Sequence, residues 1–334
     1  MTIPLSVLDL IPWSEGVSSG ESLRRSLELA RRVDALGYTR LWYAEHHNLP
    51  NILSTTPEIA IALAAGATRR IRVGSGGVML PNHAPLKVAE TYKMLEALYP
   101  GRIDLGIGRA PGTDPGAARA LGRAAGDAFP EKLAELMAFG RNQFPEGHPY
   151  RAVSAGPEDV ALPPIYLLGS SGFSAEMAAI LGLGYGFAAH FSDYPAVLPM
   201  RAYREGFAPV GDRPAPHAIL TLSVICQDTA EEAERQAASF LVAVAQNLTG
   251  KKVHLPPPEE AARHAFSWAE QAVVATFRER LIAGTPEVVK ARIDAEVAIT
   301  GADEVMIATT TYGEAARLRS YELLAEAFGL DRES

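Results

Sequence analysis

Short apolar runs alternate along the chain with segments in which apolar residues recur at helical spacing. Eight runs have the length and composition of buried strands: Leu5–Leu10, Thr39–Ala44, Ile71–Met79, Arg102–Gly108, Pro164–Gly169, Tyr185–Phe191, Ala218–Cys226 and Asp303–Thr309. Helices are predicted between and after them, at Ser22–Leu36, Pro57–Ala67, Pro85–Leu98, Pro130–Asn142, Ser174–Leu181, Pro195–Gly206, Thr229–Ala245 and Glu314–Phe328. Continuous apolar runs of this kind are typical of parallel strands that are covered on both faces.

The order of these elements favours a closed architecture. Strand and helix patterns alternate throughout, and no Asn-Gly turn separates neighbouring strands. About eight strand–helix units predict an α/β fold, a (β/α)8 TIM barrel formed by a single domain over residues 1–334, with insertions after strands 4 and 7. An open doubly wound sheet is the alternative, but one alternating series fills nearly the whole chain.

The segment Asn247–Arg278 departs from the repeat. Lys251, Lys252 and Pro256–Pro258 break any regular pattern, and a helix is predicted only beyond it, with Thr285 as its N-cap. A long loop near the C-terminal face of a barrel often forms a lid over the active site. A surface insertion with no role in the site is the equally open alternative.

Composition narrows the range of partners and compartments. The 334 residues carry a formal net charge of −8, so the chain lacks the basic surface that nucleic-acid binding requires. The first residues include no basic stretch, are interrupted by Asp9 and Pro12, and are too short to span a bilayer. The single cysteine, Cys226, cannot form an internal disulfide. We therefore expect a cytoplasmic protein without nucleic-acid or membrane partners.

The ends of the strands hold the candidate chemistry, because functional groups of a barrel gather there. Gly76 and Gly77, near the end of the third strand, would let a planar ligand lie on the backbone. Arg109 follows the fourth strand and offers a fixed fork for a phosphate or carboxylate, although a structural ion pair is its alternative role.

The loop after the fifth strand is the best candidate for binding an anion. It opens a helix, whose free N–H groups and positive dipole end favour a phosphate. Hydroxyl groups can add hydrogen bonds, and the alternative is that one serine is merely the N-cap. The residues of this predicted cofactor loop are Ser170, Ser171, Gly172, Phe173 and Ser174.

Histidines supply the candidate acid–base groups. His46, after the second strand, is the most plausible one because imidazole titrates near neutral pH; a structural histidine is the alternative. His47 and Tyr312 also follow strands, His190 lies at the end of one, and we predict that all three line the substrate pocket. His46 and His47 are adjacent and would point to opposite faces of an extended segment, which disfavours a shared metal ion; no metal site is predicted.

Several motifs in this order resemble the bacterial luciferase-like flavin monooxygenases. They are Glu45-His46-His47, the VGSGGVMLPNHAPLKVAE and GRIDLGIGRAPG stretches, GSSGFSAEMAA, a GTPE segment and a closing LRSYELLA. The resemblance runs from about Leu5 to Ala327. Two departures from luciferase are Gly108, where luciferase has a cysteine, and Ser170, where it has a glutamate, so light emission is not implied.

The resemblance implies a barrel that binds reduced FMN, often delivered by a separate NAD(P)H-dependent reductase, and a homodimer joined through the second and third helices. It makes His46 the catalytic histidine, Arg109 the phosphate arginine, and Ser171 and Ser174 the hydroxyls of the phosphate loop. It also places a cis peptide at Gly76–Gly77, beneath the flavin ring.

The implied activity is a monooxygenase that uses reduced FMN and O₂ to oxygenate a small organic substrate. A deazaflavin-dependent dehydrogenase on the same barrel, a non-catalytic flavin-binding protein and a cofactor-free isomerase or lyase remain alternatives. The sequence identifies no substrate.

Overall fold

The computed structural model describes residues 3–122, 128–210 and 213–330. Nine parallel strands form its sheet: β1 Leu5–Asp9, β2 Arg40–Tyr43, β3 Arg72–Met79, β4 Ile103–Gly108, β5 Ile165–Gly169, β6 Gly184–Ala188, β7 Ala218–Cys226, β8 Leu281–Gly284 and β9 Glu304–Ala308. Strands β1 to β7 pair in sequence order, β7 pairs with β9, and β9 pairs with β1. These eight strands close a barrel, which confirms the predicted TIM-barrel fold.

Helices surround the barrel: α1 Ser19–Ala35, α2 Pro57–Ala67, α3 Pro85–Leu98, α4 Pro115–Ala120, α5 Phe129–Arg141, α6 Gly172–Ile180, α7 Val197–Gly206, α8 Ala230–Leu248, α9 Pro258–Ala261, α10 Trp268–Arg280, α11 Pro286–Thr300 and α12 Glu314–Phe328. The largest cluster of buried apolar side chains lies between these helices and the strands. No helix in the described part of the chain is long and apolar enough to cross a membrane.

A second apolar cluster fills the inside of the barrel. Leu8 and Trp42 are register partners on β1 and β2, and they pack with Tyr166 and Met306 in this cluster. The Tyr166 ring fits because Gly184 faces it: a Cβ atom at Gly184 would lie 2.3 Å from Cδ1 of Tyr166. The barrel is therefore a packed core along most of its length, and space remains at its C-terminal end.

The strand β8 was not predicted. It consists of only four residues, and it pairs with the last part of β7, from Ser223 to Cys226, which extends past the pairing of β7 with β6. A run this short carries no periodicity that could separate a strand from a loop. Strand β8 is an extra strand at the side of the barrel, and β9 is the eighth strand of the barrel itself.

The predicted insertions lie within the two longest connections. The one after β4 contains α4 and α5, and its residues 123–127 lie outside the described part of the chain. The one after β7 contains α8 to α11. Its segment Asn247–Arg278 is not irregular throughout, because α10 begins there with a capping box formed by Ser267 and Glu270. That these connections are insertions stays a prediction.

The segment Asn247–Arg278 packs against the loops that follow β1 and β2, and its role as a lid stays a prediction. Its Leu255 exchanges backbone hydrogen bonds with Trp13 and Glu15, in the loop after β1. The His254 ring packs on Trp13 at a tilt of 37°, with 4.1 Å between ring centroids, and its Nδ1 lies 2.6 Å from the Pro50 carbonyl. The segment therefore braces the loops after β1 and β2.

Candidate active site

A cavity of about 220 Å³ opens at the C-terminal end of the barrel. Its wall is formed by residues from all eight barrel strands and from several of the loops that follow them. The described residues that line it are Leu8, Trp42, Ala44, His46, Gly76, Gly77, Met79, Gly108, Arg109, Ala110, Gly112, Leu168, Gly169, Ser170, Ser171, Ser174, Gly186, Ala188, His190, Phe191, Thr221 and Met306.

Glycines form one side of the cavity. The pairing of β3 with β4 is interrupted between Ser75 and Val78, and the peptide bond between Gly76 and Gly77 is cis, as the resemblance implies. A Cβ atom on Gly77 would lie 2.7 Å from the carbonyl oxygen of Gly106, too close for any side chain. Bare backbone at this point leaves a flat surface for a planar ligand.

Arg109 and the start of α6 meet at one end of the cavity. Ser171 is the N-cap of α6 by position, yet its side chain makes no capping hydrogen bond. The helix start therefore keeps backbone N–H groups that no serine side chain satisfies. The Arg109 guanidinium lies 4.1 Å from the centroid of the Phe173 ring, which supports it from beside the cavity. This combination of cation, hydroxyls and helix N-terminus suits a phosphate.

His46 lines the cavity with a defined hydrogen bond. Its Nδ1 lies 3.3 Å from the Gly112 carbonyl, which can only accept, so we assign the ring proton to Nδ1. Nε2 then carries a lone pair. Burial lowers the pKa of His46, and this outweighs the opposing effects of the Gly112 carbonyl and Glu45. His46 is therefore a neutral base or hydrogen-bond acceptor at pH 7.

Glu45 organises the loops beside the cavity and does not face it. Its buried carboxylate accepts hydrogen bonds from the Met79 N–H at 2.8 Å and from His83 Nε2 at 2.9 Å. His47 Nε2 lies 3.0 Å from the same carboxylate. Burial alone would raise the pKa of Glu45, but these hydrogen bonds hold the pKa below its usual range. The ends of β2 and β3 are thereby fixed together beneath His46.

His190 lies on the wall opposite His46, because β2 and β6 are four strands apart in an eight-stranded barrel. Its backbone N–H donates to the Thr221 carbonyl at 3.0 Å, and its ring contacts Phe191 edge-on at 4.7 Å. Burial, and then the nearby His46, lower the pKa of His190 to about 3. Its Nδ1 is enclosed and has no hydrogen-bond partner among the described residues.

Most predicted site residues lie on this cavity, but four do not line it. Gly172 and Phe173 belong to the first turn of α6, and Phe173 contacts Arg109 without reaching the cavity wall. His47 turns to Glu45, and the Tyr312 hydroxyl donates to the Glu15 carbonyl at 3.0 Å. His47 and Tyr312 therefore do not line this cavity, and their part in a substrate pocket stays a prediction. Both follow strands, but their side chains turn away.

Several wall residues were not singled out from the sequence. Leu8, Trp42, Thr221 and Met306 point inward from β1, β2, β7 and β9. Alternation along each strand would have narrowed the candidates to one of two faces, because every second side chain faces the inside of the barrel. Across the described residues, no group of three or more His, Cys, Asp or Glu side chains is arranged to hold a metal ion.

Comparison with known proteins matches residues 3–304 to the family model described as luciferase-like monooxygenase. The chain is 45% identical over 327 residues to the uncharacterised protein YvbT of Bacillus subtilis, covering 97% of this chain and 96% of that protein. It is 35% identical over 332 residues to the N-acetyl-S-alkylcysteine monooxygenase of B. subtilis, covering 97% and 98%. The crystal structure of apo-MsnO8 covers 99% of both chains with a TM-score of 0.88 and 37% identity.

More distant structures share the fold alone. The oxygenating constituent of 3,6-diketocamphane monooxygenase from Pseudomonas putida, solved with FMN, has a TM-score of 0.71 at 18% identity, covering 98% of this chain and 97% of that one. An F420-dependent secondary alcohol dehydrogenase has a TM-score of 0.69 at 14% identity, covering 98% and 99%. The same barrel thus occurs with FMN and with a deazaflavin.

Proposed function

The chain belongs to the luciferase-like monooxygenase family, and from this premise we propose that it is a flavin-dependent monooxygenase that uses reduced FMN and O₂ to oxygenate a small organic substrate. One observation carries the proposal. One cavity contains a group of residues suited to a phosphate, a surface of bare glycine backbone and a neutral histidine. This combination fits a planar cofactor that carries a phosphate.

The phosphate of FMN would be held at the Arg109 end of the cavity. The guanidinium supplies a planar pair of donors, the uncapped first turn of α6 supplies backbone N–H groups, and Ser170, Ser171 and Ser174 supply hydroxyls. Phe173 keeps the guanidinium in place by its ring face. These contacts would account for most of the preference for FMN over an unphosphorylated flavin.

The flavin ring would lie against Gly76 and Gly77, with His46 and His190 on opposite walls. Bound reduced FMN would supply the electrons that activate O₂. His46 would accept a hydrogen bond, or a proton, at Nε2 from the group that lies nearest to it. Trp42, Leu8 and Met306 close the cavity from within the barrel and exclude water from that side.

The function is tested by mixing protein loaded anaerobically with reduced FMN against oxygenated buffer in a stopped-flow instrument. We expect the absorbance of oxidised flavin to rise more slowly than for free reduced FMN, and in more than one phase, because the site controls the reaction with O₂. A rise identical to that of free FMN would contradict the assignment. Thioethers are then the first substrates to test, on the precedent of the relative named N-acetyl-S-alkylcysteine monooxygenase, and such a compound is tested both as its free acid and as its uncharged amide.

Cofactor preference separates this function from a deazaflavin-dependent dehydrogenase. We expect FMN to bind more tightly than F420 in parallel equilibrium titrations, because Arg109 and the uncapped start of α6 suit a terminal phosphate. Preferential F420 binding, with hydride transfer to or from an alcohol, would instead support the dehydrogenase. Flavin binding with no turnover of any substrate would support a non-catalytic flavoprotein.

The source of reduced FMN is proposed to be a separate NAD(P)H-dependent flavin reductase. The purified chain should then oxidise neither NADH nor NADPH when FMN is present, while addition of a generic flavin reductase should sustain oxygen consumption. Nicotinamide oxidation by the chain alone would contradict this part of the proposal.

We also propose a homodimer through α2 and α3. Ile59 and Leu63 lie one turn apart on α2, and Met94 and Leu98 lie one turn apart on α3; all four are more than half exposed. Adjacent apolar pairs on contacting helices are typical of a covered surface. Leu63→Glu should shift the mass in analytical ultracentrifugation from dimer to monomer, whereas Leu248→Glu, at an exposed leucine on α8, should not. A monomeric wild-type chain would contradict this proposal.

A further inference from the structure

The wall of the candidate active site carries almost no charge. Among the described residues that line it, Arg109 alone has a side chain that is charged near neutral pH. The others contribute glycine backbone, apolar side chains, hydroxyl groups or imidazoles. The large apolar side chains of the wall are those of Leu8, Trp42, Met79, Leu168, Phe191 and Met306. A charged ligand other than the cofactor phosphate would therefore need a partner that this wall does not provide.

Arg109 does not supply that partner. It lies at the phosphate end, beside Ser170, Ser171 and Ser174, with its guanidinium on the Phe173 ring. A bound phosphate would use its donors there. A second anion close by would also meet the negative charge of the phosphate itself.

The two imidazoles do not become cations either. Burial lowers the pKa of His46, and burial together with His46 lowers the pKa of His190 to about 3. Protonating one ring would place a positive charge in a desolvated wall. Near neutral pH both rings therefore offer hydrogen bonds without charge, and the proton of His46 on Nδ1 leaves its Nε2 as an acceptor.

Ionised groups close to the cavity are occupied elsewhere. The Glu45 carboxylate is bound by His83, His47 and the Met79 N–H. At the mouth, Arg280 donates to the Phe191 carbonyl at 2.8 Å and pairs with Asp193. Neither Glu45 nor Arg280 is part of the cavity wall.

We propose that the site admits a substrate whose reacting part is uncharged and mainly apolar, such as a thioether or ketone, and rejects carboxylates and sulfonates from the cavity. This inference rests on the proposed function. An anion that moves from water into this cavity loses its hydration free energy, and no ion pair in the cavity compensates for that loss. An uncharged N–H or O–H group can instead be satisfied by the imidazoles. His190, at the edge toward Phe191 and the mouth, is the residue that sets this selectivity.

The test uses two molecules of nearly the same shape, 3-(methylthio)propanamide and 3-(methylthio)propanoate. Each is titrated near neutral pH into protein loaded with oxidised FMN, and the flavin absorbance and the heat of binding are recorded. We expect the amide to bind at least about tenfold more tightly than the carboxylate. Equal or tighter binding of the carboxylate would overturn the inference, and so would a failure of both the amide and the corresponding methyl ester to bind.

A pair of variants tests the role of His190. His190→Arg adds a cation to the wall and should improve carboxylate binding by about tenfold or more, reducing or reversing the preference for the amide. His190→Gln keeps the position neutral and should keep the preference. An unchanged preference in His190→Arg would overturn the role assigned to this residue. FMN is titrated first. If FMN does not bind, the proposed function is contradicted. If FMN binds but the site prefers the carboxylate, only this inference is contradicted.

Discussion

The two ends of the barrel use similar polar side chains in opposite ways. At the N-terminal end, Arg40 donates to both oxygens of Glu304, at 2.7 and 2.9 Å, and to Asp104 at 2.8 Å. Asp104 also accepts from Trp42 Nε1 at 3.1 Å. At the C-terminal end, imidazoles, hydroxyls and the start of a helix surround an open cavity. Polar groups with internal partners stabilise the fold, and polar groups arranged around space are available to a ligand.

Glu45 shows that the division does not follow position alone. It lies at the C-terminal end, one residue before His46, yet it is buried and binds Met79, His47 and His83. By its partners it resembles the network around Arg40. Its role is to position His46 and the glycine surface, and we expect its loss to affect stability more than ligand chemistry.

The largest loss of stability is expected when the ion pairs of Arg40, at the N-terminal end of the barrel, are broken. Arg40→Met leaves Glu304 buried without its arginine and leaves Asp104 with Arg72 alone, and the free energy of unfolding should fall by about 3–5 kcal/mol. Denaturation in guanidinium chloride measures this. The matched control is Arg24→Met, which removes an exposed ion pair with Glu21 and should cost less than about 1 kcal/mol. Equal losses in the two variants would erase the contrast between a buried and an exposed ion pair.

A smaller loss is expected at Glu45. Glu45→Gln keeps the shape but removes the charge that His83 and His47 bind, and the free energy of unfolding should fall by about 2–3 kcal/mol. The folded variant should still bind FMN, since Glu45 does not line the cavity. Glu205→Gln, an exposed change on α7, is the control. If the variant kept full stability but did not bind FMN, Glu45 would have to act in ligand binding and not in stabilising the fold.

The smallest expected effect is a pH dependence of the free energy of unfolding that comes from the pair formed by His83 and Glu45. The hydrogen bond to Glu45 raises the pKa of His83 above its ordinary value of 6.5. The stabilisation is therefore complete below that value and is lost as the pH rises through the higher pKa of the folded state. Wild type should lose up to about 1 kcal/mol more than His83→Asn when the pH is raised from slightly acidic to slightly alkaline. Parallel stability curves would show that the pair contributes nothing.

Much of the fold could be predicted because buried parallel strands are short continuous apolar runs. Helices at Pro57–Ala67, Pro85–Leu98 and Glu314–Phe328 have the predicted bounds. Strand β8 and helices α4, α9 and α10 could not be found this way: β8 has four residues, and α10 buries only Glu270. The capping box of α10, Ser267 with Glu270, was the one local signal available.

The candidate site was predicted where backbone position decides the outcome. Gly76, Gly77, Arg109, the serines of the α6 loop, His46 and His190 all line the cavity. His47 and Tyr312 do not line the cavity, because a position after a strand does not determine the direction of a side chain once the strand has ended. Their partners, Glu45 and the Glu15 carbonyl, are set by tertiary packing.

The most direct test of the account is a comparison of FMN with riboflavin, which has the same ring system but no phosphate. Both are titrated into wild type, into Arg109→Leu and into Arg119→Leu, an exposed change on α4. Arg109→Leu should weaken FMN binding by about 100-fold and leave riboflavin binding within about twofold of wild type. Arg119→Leu should change neither. Equal weakening of both flavins, or unchanged FMN binding in Arg109→Leu, would contradict the assignment of this end of the barrel to a flavin phosphate.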